Sequence, residues 1–267
     1  MTSKTTIAAN VAGASILAFL VLPIFAVVPA SFNHATFIKL PPDTWSLRWY
    51  NAFLNDPQWW RSLIASVQVA TIATVLSVGL GTCAALGLEK VSPRMRALLL
   101  GIVISPLIVP VIMTAIALYY VMRPLGLHGT TLGLALGHTL LAVPFVVVNV
   151  GISLRGVDPN CLRAAEGLGA SPWYVFRTIT LPLIVPGLAG GAAFAFITSF
   201  DEVVVSIFLA GIQAKTLPVK MWETMRVEFT PVTAVASTIL LVITAAIFVA
   251  VKAAVRGTPD GVQRHGR

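Results

Sequence analysis

The chain has 267 residues, of which 57% are hydrophobic and only 10% charged. A water-soluble domain carries about 25% charged residues to solvate its surface, so this composition excludes an ordinary soluble fold. The formal charge of +8 reads as membrane topology and lipid-headgroup contact, and no nucleic acid is needed to explain it.

A helix needs about 20 apolar residues to cross a hydrocarbon core of roughly 30 Å. The sequence predicts six spans: Ile7–Ser31, Ser62–Leu88, Ala97–Met122, Thr130–Leu154, Pro186–Ala210 and Thr233–Val255. Their apolar runs are continuous where barrel strands would alternate, so the expected fold is all-α integral membrane. The first run follows Lys4 and ends in a loosely cleavage-like Val28-Pro29-Ala30-Ser31. It exceeds the roughly 7–15 apolar residues of a signal peptide and is expected to be a retained helix.

The loop from Phe32 to Arg61 turns at Pro41-Pro42-Asp43 and gathers Trp45, Trp49, Tyr50, Trp59 and Trp60. Such rings favour the headgroup level, which predicts an interfacial helix near Ser46–Leu54; a partner-docking surface is the alternative. Gly79, Gly81, Ala84, Ala85 and Gly87 in the second span, and Gly187, Gly190, Gly191, Ala192 and Ala193 in the fifth, allow close helix approach. Pro106, Pro110 and Pro144 interrupt the third and fourth spans. His138 falls inside the fourth, where hydrogen bonding within the bundle is expected. Cys83 and Cys161 form no paired or metal-ligand spacing, so neither a disulfide framework nor a metal site is expected.

The loop after the fourth span differs from the others. Asp158 is placed to cap a helix with Pro159 at its first position, and Gly169 suits a left-handed stop after Leu168. Ser171-Pro172 repeats the start signal, and a second short helix is expected to run to about Thr180, stopped by Leu181-Pro182. Leu162, Ala165 and Leu168 can share one face, as can Trp173, Phe176 and Ile179. This two-helix elbow needs either its own membrane helices or a soluble partner to pack against.

The elbow resembles the coupling loop of ABC importer permeases, whose signature is Glu-Ala-Ala, three residues, Gly, nine residues, then Ile-x-Leu-Pro. Ala164, Ala165, Gly169, Ile179, Leu181 and Pro182 stand at that spacing, within a Leu168-Gly169-Ala170-Ser171 continuation. Arg163 occupies the position where Glu is usual, so the family's Glu contact does not carry over; Glu166, one turn later, is the candidate substitute. The resemblance implies a type I importer permease, with this elbow seated in ATPase subunits that supply the hydrolysis. It also implies a second homologous permease, two ATP-binding subunits and an extracytoplasmic solute-binding protein. Residues 59–255 would form the permease domain with the coupling loop at 157–182, preceded by a first helix and outer loop (1–58) and followed by a tail (256–267).

Thr198 to Val205 and Thr216 to Trp222 are similar to segments of spermidine/putrescine-type permeases. Asp201 and Glu202 lie inside the fifth apolar run, Asp201 roughly 21 Å along a helix from about Gly187. Carboxylates there must face a cavity, a partner charge or the bundle interior. They read either as a cation site or as a structural ion pair. Trp222, Glu223 and Glu228 would form an outer vestibule or an ordinary charged surface. Polyamine is the expected cargo, with aminophosphonates, opines and amino-acid-like solutes as alternatives, and an ion-coupled secondary transporter as a rival. The chain holds no P-loop or nucleophile motif, so it is expected to be neither an ATPase nor another enzyme and to need no cofactor. Lys90, Arg94, Arg96, Arg155, Arg163 and Arg177 lie on the same side as the termini, which predicts cytoplasmic ends in a bacterial inner membrane.

Overall fold

A computed structural model describes residues 3–228 and 230–256. Apart from Arg256, the tail expected at 256–267 lies outside the described residues, as do Arg264, His265 and Arg267. The helices in chain order are α1 (Ser3–Ser31), α2 (Arg48–Asn55), α3 (Pro57–Leu88), α4 (Pro93–Ile108), α5 (Val111–Met122) and α6 (Thr131–Arg155). They continue as α7 (Pro159–Gly167), α8 (Pro172–Val175), a π turn (Phe176–Thr180), α9 (Leu181–Phe200), α10 (Val204–Leu209), α11 (Leu217–Val227) and α12 (Pro231–Arg256). Among the described residues, five helices are long and apolar enough to cross a bilayer, and six spans result if the bent pair α4–α5 counts as one.

The chain divides into two compact units. The first contains, among the described residues, 3–61, 220–228 and 230–243. Its α1 ends where Ser31 Oγ donates to the Val28 carbonyl at 2.6 Å and meets the Tyr50 hydroxyl at 2.8 Å. The Trp49 indole donates to the Ala35 carbonyl, and buried Phe53 packs against Trp59 with ring centroids 5.6 Å apart. The aromatic loop thus folds on itself around α2, close to the interfacial helix expected from its composition.

The second unit, among the described residues 62–219 and 244–256, is organised around α6. One apolar cluster joins Val69 of α3, Leu118 of α5, Leu134 and Leu141 of α6 and Val205 and Leu209 of α10. Another joins Ala85 of α3, Val146 and Val150 of α6, and Ile184 and Ala195 of α9. Close approach explains Gly81, Gly187, Gly190 and Gly191, whereas a Cβ on Gly79 or Gly87 would meet open space. A Cβ on Gly191 would stand 3.1 Å from Val146 Cα, and one on Gly81 would stand 2.7 Å from Val146 Cβ. Val146 is fully buried between these two glycines, where lipid provides no hydrophobic drive and packing alone holds helices together.

Two expected spans are broken. The third becomes α4 and α5, bent by 99°. Pro110 has no N–H to continue the ladder, and α4 closes with the Val109 N–H on the Ser105 carbonyl at 3.1 Å. Pro106 and Pro144, by contrast, lie within continuous helix. The fifth span begins earlier than expected and ends earlier: helix runs over Pro172–Phe200, and Val204–Leu209 is a separate piece. Leu181-Pro182 does not stop the chain. The π turn just before it widens the helix, with the Leu181 N–H reaching back five residues to the Phe176 carbonyl, and the proline ring is accommodated at the second position of α9.

Candidate functional site: the elbow and the broken fifth span

The elbow is built by local signals. Asp158 accepts a hydrogen bond from the Asn160 N–H at 2.8 Å and Ser171 from the Tyr174 N–H at 3.3 Å, each followed by proline at the first helical position. Between them, Gly169 adopts φ +83°. Its N–H donates to the Glu166 carbonyl at 2.9 Å, and the Ala170 N–H donates to the Ala165 carbonyl at 3.1 Å. This pair of bonds is the Schellman motif, which satisfies the orphan carbonyls at the end of α7. The spacing from Ala165 to Gly169 is therefore the spacing of a helix stop.

The two faces of the elbow divide differently from the helical pattern. Leu162 packs inward against the cluster around Val146 and Val150, and Val175 is buried. Leu168 is 90% exposed and Trp173 68% exposed. Leu168 leaves the face of Leu162 and Ala165 because it is the C-cap, with φ −85° and ψ 6°, past the last helical turn. Trp173 and Phe176 form a ring pair at 5.6 Å. Arg163, Ala164 and Glu166 are exposed, Ala165 and Ile179 half-buried. Ala165, Leu168, Gly169, Ala170, Ser171 and Tyr174 line a shallow cleft. Leu181 is half-buried and Pro182 exposed, both in the continuous helix that joins the elbow to the fifth span.

The intramembrane acids are not on a helix. Asp201 caps α9 at its C-terminal end and is exposed. Glu202 turns inward: its Oε1 accepts from the N–H groups of Val204 (2.9 Å) and Val205 (3.0 Å), and its Oε2 from that of Ser206 (3.0 Å). Its side chain is only 9% exposed. Placing a carboxylate at membrane depth costs about 2.5–3.5 kcal/mol. Hydrogen bonds to a charged group contribute about 1.5–3 kcal/mol each, so three of them, at the positive end of α10, offset that cost. Glu202 therefore serves the break itself, and Asp201 is the acid left accessible.

His138 of α6 joins this arrangement. Fully buried, it lies 2.8 Å from Ser199 Oγ through Nδ1 and 3.0 Å from Ser206 Oγ through Nε2, with Glu202 Oε2 at 3.6 Å from Nε2. Ser206 Oγ donates to the Glu202 carbonyl at 3.0 Å. It therefore accepts from His138 Nε2–H, and Nδ1 accepts from the Ser199 hydroxyl, an assignment that follows from the network. A histidine within an apolar run was visible in the sequence; its serine partners, 61 and 68 residues away, were not. Trp222 and Glu223 belong to α11 in the first unit and are exposed, Trp222 with the Arg226 guanidinium 5.4 Å from its ring centroid.

Residues 77–257 match the family described as binding-protein-dependent transport system inner membrane component. The spermidine/putrescine transport system permease protein PotC of Escherichia coli (strain K12) is 30% identical over 247 residues, covering 92% of this chain and 93% of that protein. The molybdenum transport system permease protein ModB of Mycobacterium bovis is 32% identical over 77% of this chain and 82% of that one. In structure, the chain is similar to a bacterial alginate ABC transporter solved with an alginate pentasaccharide-bound periplasmic protein, at TM-score 0.70 and 15% identity over 92% of each chain. It also resembles the inward-facing MetNI methionine ABC transporter, at TM-score 0.65 and 19% identity over 77% of this chain and 99% of that one. The chain belongs to the inner-membrane components of binding-protein-dependent transport systems: it is a multi-pass permease subunit of an ATP-driven importer, a transport component and not an enzyme.

Proposed function

We propose that this permease carries a small organic cation of the polyamine class and is driven through the elbow at 157–182. The observation that carries the cargo reading is the asymmetry of the two acids. Glu202 is enclosed by three backbone N–H groups, whereas Asp201 beside it is exposed. An accessible carboxylate at membrane depth attracts ammonium groups and repels anions. The relatives named for spermidine and putrescine support this reading, and PotC matches 92% of the chain where the relative named for molybdenum matches 77%. Within the first unit, Trp222 and Glu223 are the residues proposed for a vestibule that receives solute.

The coupling surface in this reading is the exposed rim of the elbow: Arg163, Ala164, Glu166, Leu168 and Trp173 around the cleft at Ala165 and Gly169. Two ATP-binding subunits dock there on the cytoplasmic side, where both termini lie. A second homologous permease completes the translocation path, and an extracytoplasmic binding protein delivers the solute. Because Pro172–Phe200 is one helix through the π turn, a displacement of the elbow passes directly to the break at Asp201. Ile179, Leu181 and Pro182 lie on that connecting stretch.

The test is uptake by the complete transporter in proteoliposomes. Radiolabelled putrescine is expected to accumulate with ATP and to be displaced by unlabelled spermidine. Asp201→Asn should lower putrescine uptake at least fivefold. Uptake of an anionic or neutral amino compound, unaffected by excess polyamine, would overturn the cargo reading. Gradient-driven uptake by this chain without ATPase subunits would overturn the coupling reading.

A further inference from the structure

One imidazole holds both sides of the break in the fifth span. His138 Nδ1 is bonded to Ser199, two residues before Asp201, and Nε2 to Ser206, five residues after it. Glu202 closes the ring of contacts, with Oε2 at 3.6 Å from the same Nε2 and the N–H groups of α10 on both its oxygens. The ring is fixed from behind as well. A Cβ on the neighbouring Gly137 would stand 3.1 Å from Leu209 Cδ2 and 3.3 Å from Val205 Cγ1, so α10 lies directly on α6. The Asp201 N–H donates to the Ile197 carbonyl at 3.1 Å, and its side chain is exposed at the apex.

We propose that His138 is the positioning residue for Asp201: by clamping Ser199 and Ser206 to α6, it sets where the exposed carboxylate stands relative to solute. The assignment of solute contact rests on the polyamine reading above; the clamp itself rests on the hydrogen bonds. A buried histidine with both nitrogens engaged by hydroxyls from two different helical pieces is a poor filler for an apolar core, because each nitrogen left without a partner there is penalised. A helix break needs such a tie, since α9 and α10 share no continuous backbone ladder across residues 201–203. If α6 moves relative to α9 during transport, the clamp carries Asp201 with it.

The experiment separates the clamp from the solute reading. In the complete transporter, with Cys83 and Cys161 replaced by Ser, an Asp201→Cys substitution is labelled with a water-soluble maleimide. His138→Phe, which fills the space without hydrogen bonds, should change the labelling rate at position 201 at least fivefold. His138→Gln keeps a donor and an acceptor and should return the rate to within about twofold of the parent, a rescue that a purely space-filling histidine would not show. Ser206→Ala removes a single hydroxyl and should shift the rate at least twofold; it carries the test if His138→Phe does not assemble. An unchanged rate in Ser206→Ala or His138→Phe overturns the clamp, whatever the uptake result. In parallel, Asp201→Asn with His138 intact is assayed for putrescine taken up per ATP hydrolysed. A shifted labelling rate with an unchanged ratio upholds the clamp and overturns Asp201 as a solute contact.

Discussion

Asp201 and Glu202 are neighbours with the same chemistry and different surroundings: three backbone N–H groups enclose the Glu202 carboxylate, and Asp201 is exposed. Glu202→Gln removes the charge that matches the N-terminus of α10 and turns one acceptor oxygen into a donor facing an N–H group. A loss of about 1–3 kcal/mol is expected, visible as a lower thermal midpoint of the purified transporter. Asp201→Asn, an exposed change that keeps the side chain's shape, should leave that midpoint within about a degree while lowering cation uptake. Equal midpoints for the two variants would contradict the division of roles. The acids themselves were legible in the sequence as charges in an apolar run. Their division was not, because it depends on a helix ending at Phe200 inside a continuous apolar stretch. Neither glycine nor proline marks that ending. It is made by the inward turn of Glu202 and by His138, contacts between residues remote in sequence.

Elements show the converse, since the elbow is almost wholly local. Asp-Pro, Ser-Pro and a glycine at the left-handed position specify two capped starts and one stop within a few residues of each, and for that reason it could be read before any tertiary contact was known. What escaped was the role of Pro182. Proline signals a stop on average, but a π turn immediately before it lets the helix continue. Replacement of Asp158 by Ala should cost about 1 kcal/mol of cap and increase proteolysis within 157–170. Unaltered cleavage there would argue that the elbow is held by its inward packing and not by its caps. Packing between elements is governed by the small residues. Gly191→Leu forces a side chain onto the Val146 backbone, 3.1 Å from where its Cβ would stand, and should cost about 1–3 kcal/mol or more, read as lower yield of assembled protein.

For the molecule as a whole, the helical membrane class and the transporter family follow from hydropathy and one loop motif, because burying backbone in lipid leaves so few architectures; the sixth expected span depends on whether the bent pair α4–α5 counts as one. Orientation is the proposal that the Lys and Arg bias supports. Exposed Cys161 beside the elbow gives a direct check: an impermeant maleimide should reach it in inside-out vesicles and not in intact cells. Labelling in intact cells would reverse the topology and remove the elbow from the ATPase side. The central claim is that the elbow transmits hydrolysis to the path. Gly169 stands at φ +83° with open space around a would-be Cβ, so Gly169→Val strains the backbone by about 1–3 kcal/mol without a collision. The most direct measurement is putrescine transported per ATP hydrolysed by the reconstituted transporter, compared between the parent chain and Gly169→Val. A ratio at least fivefold lower, with ATP hydrolysis persisting, is the predicted result; an unchanged ratio at full assembly would contradict the account.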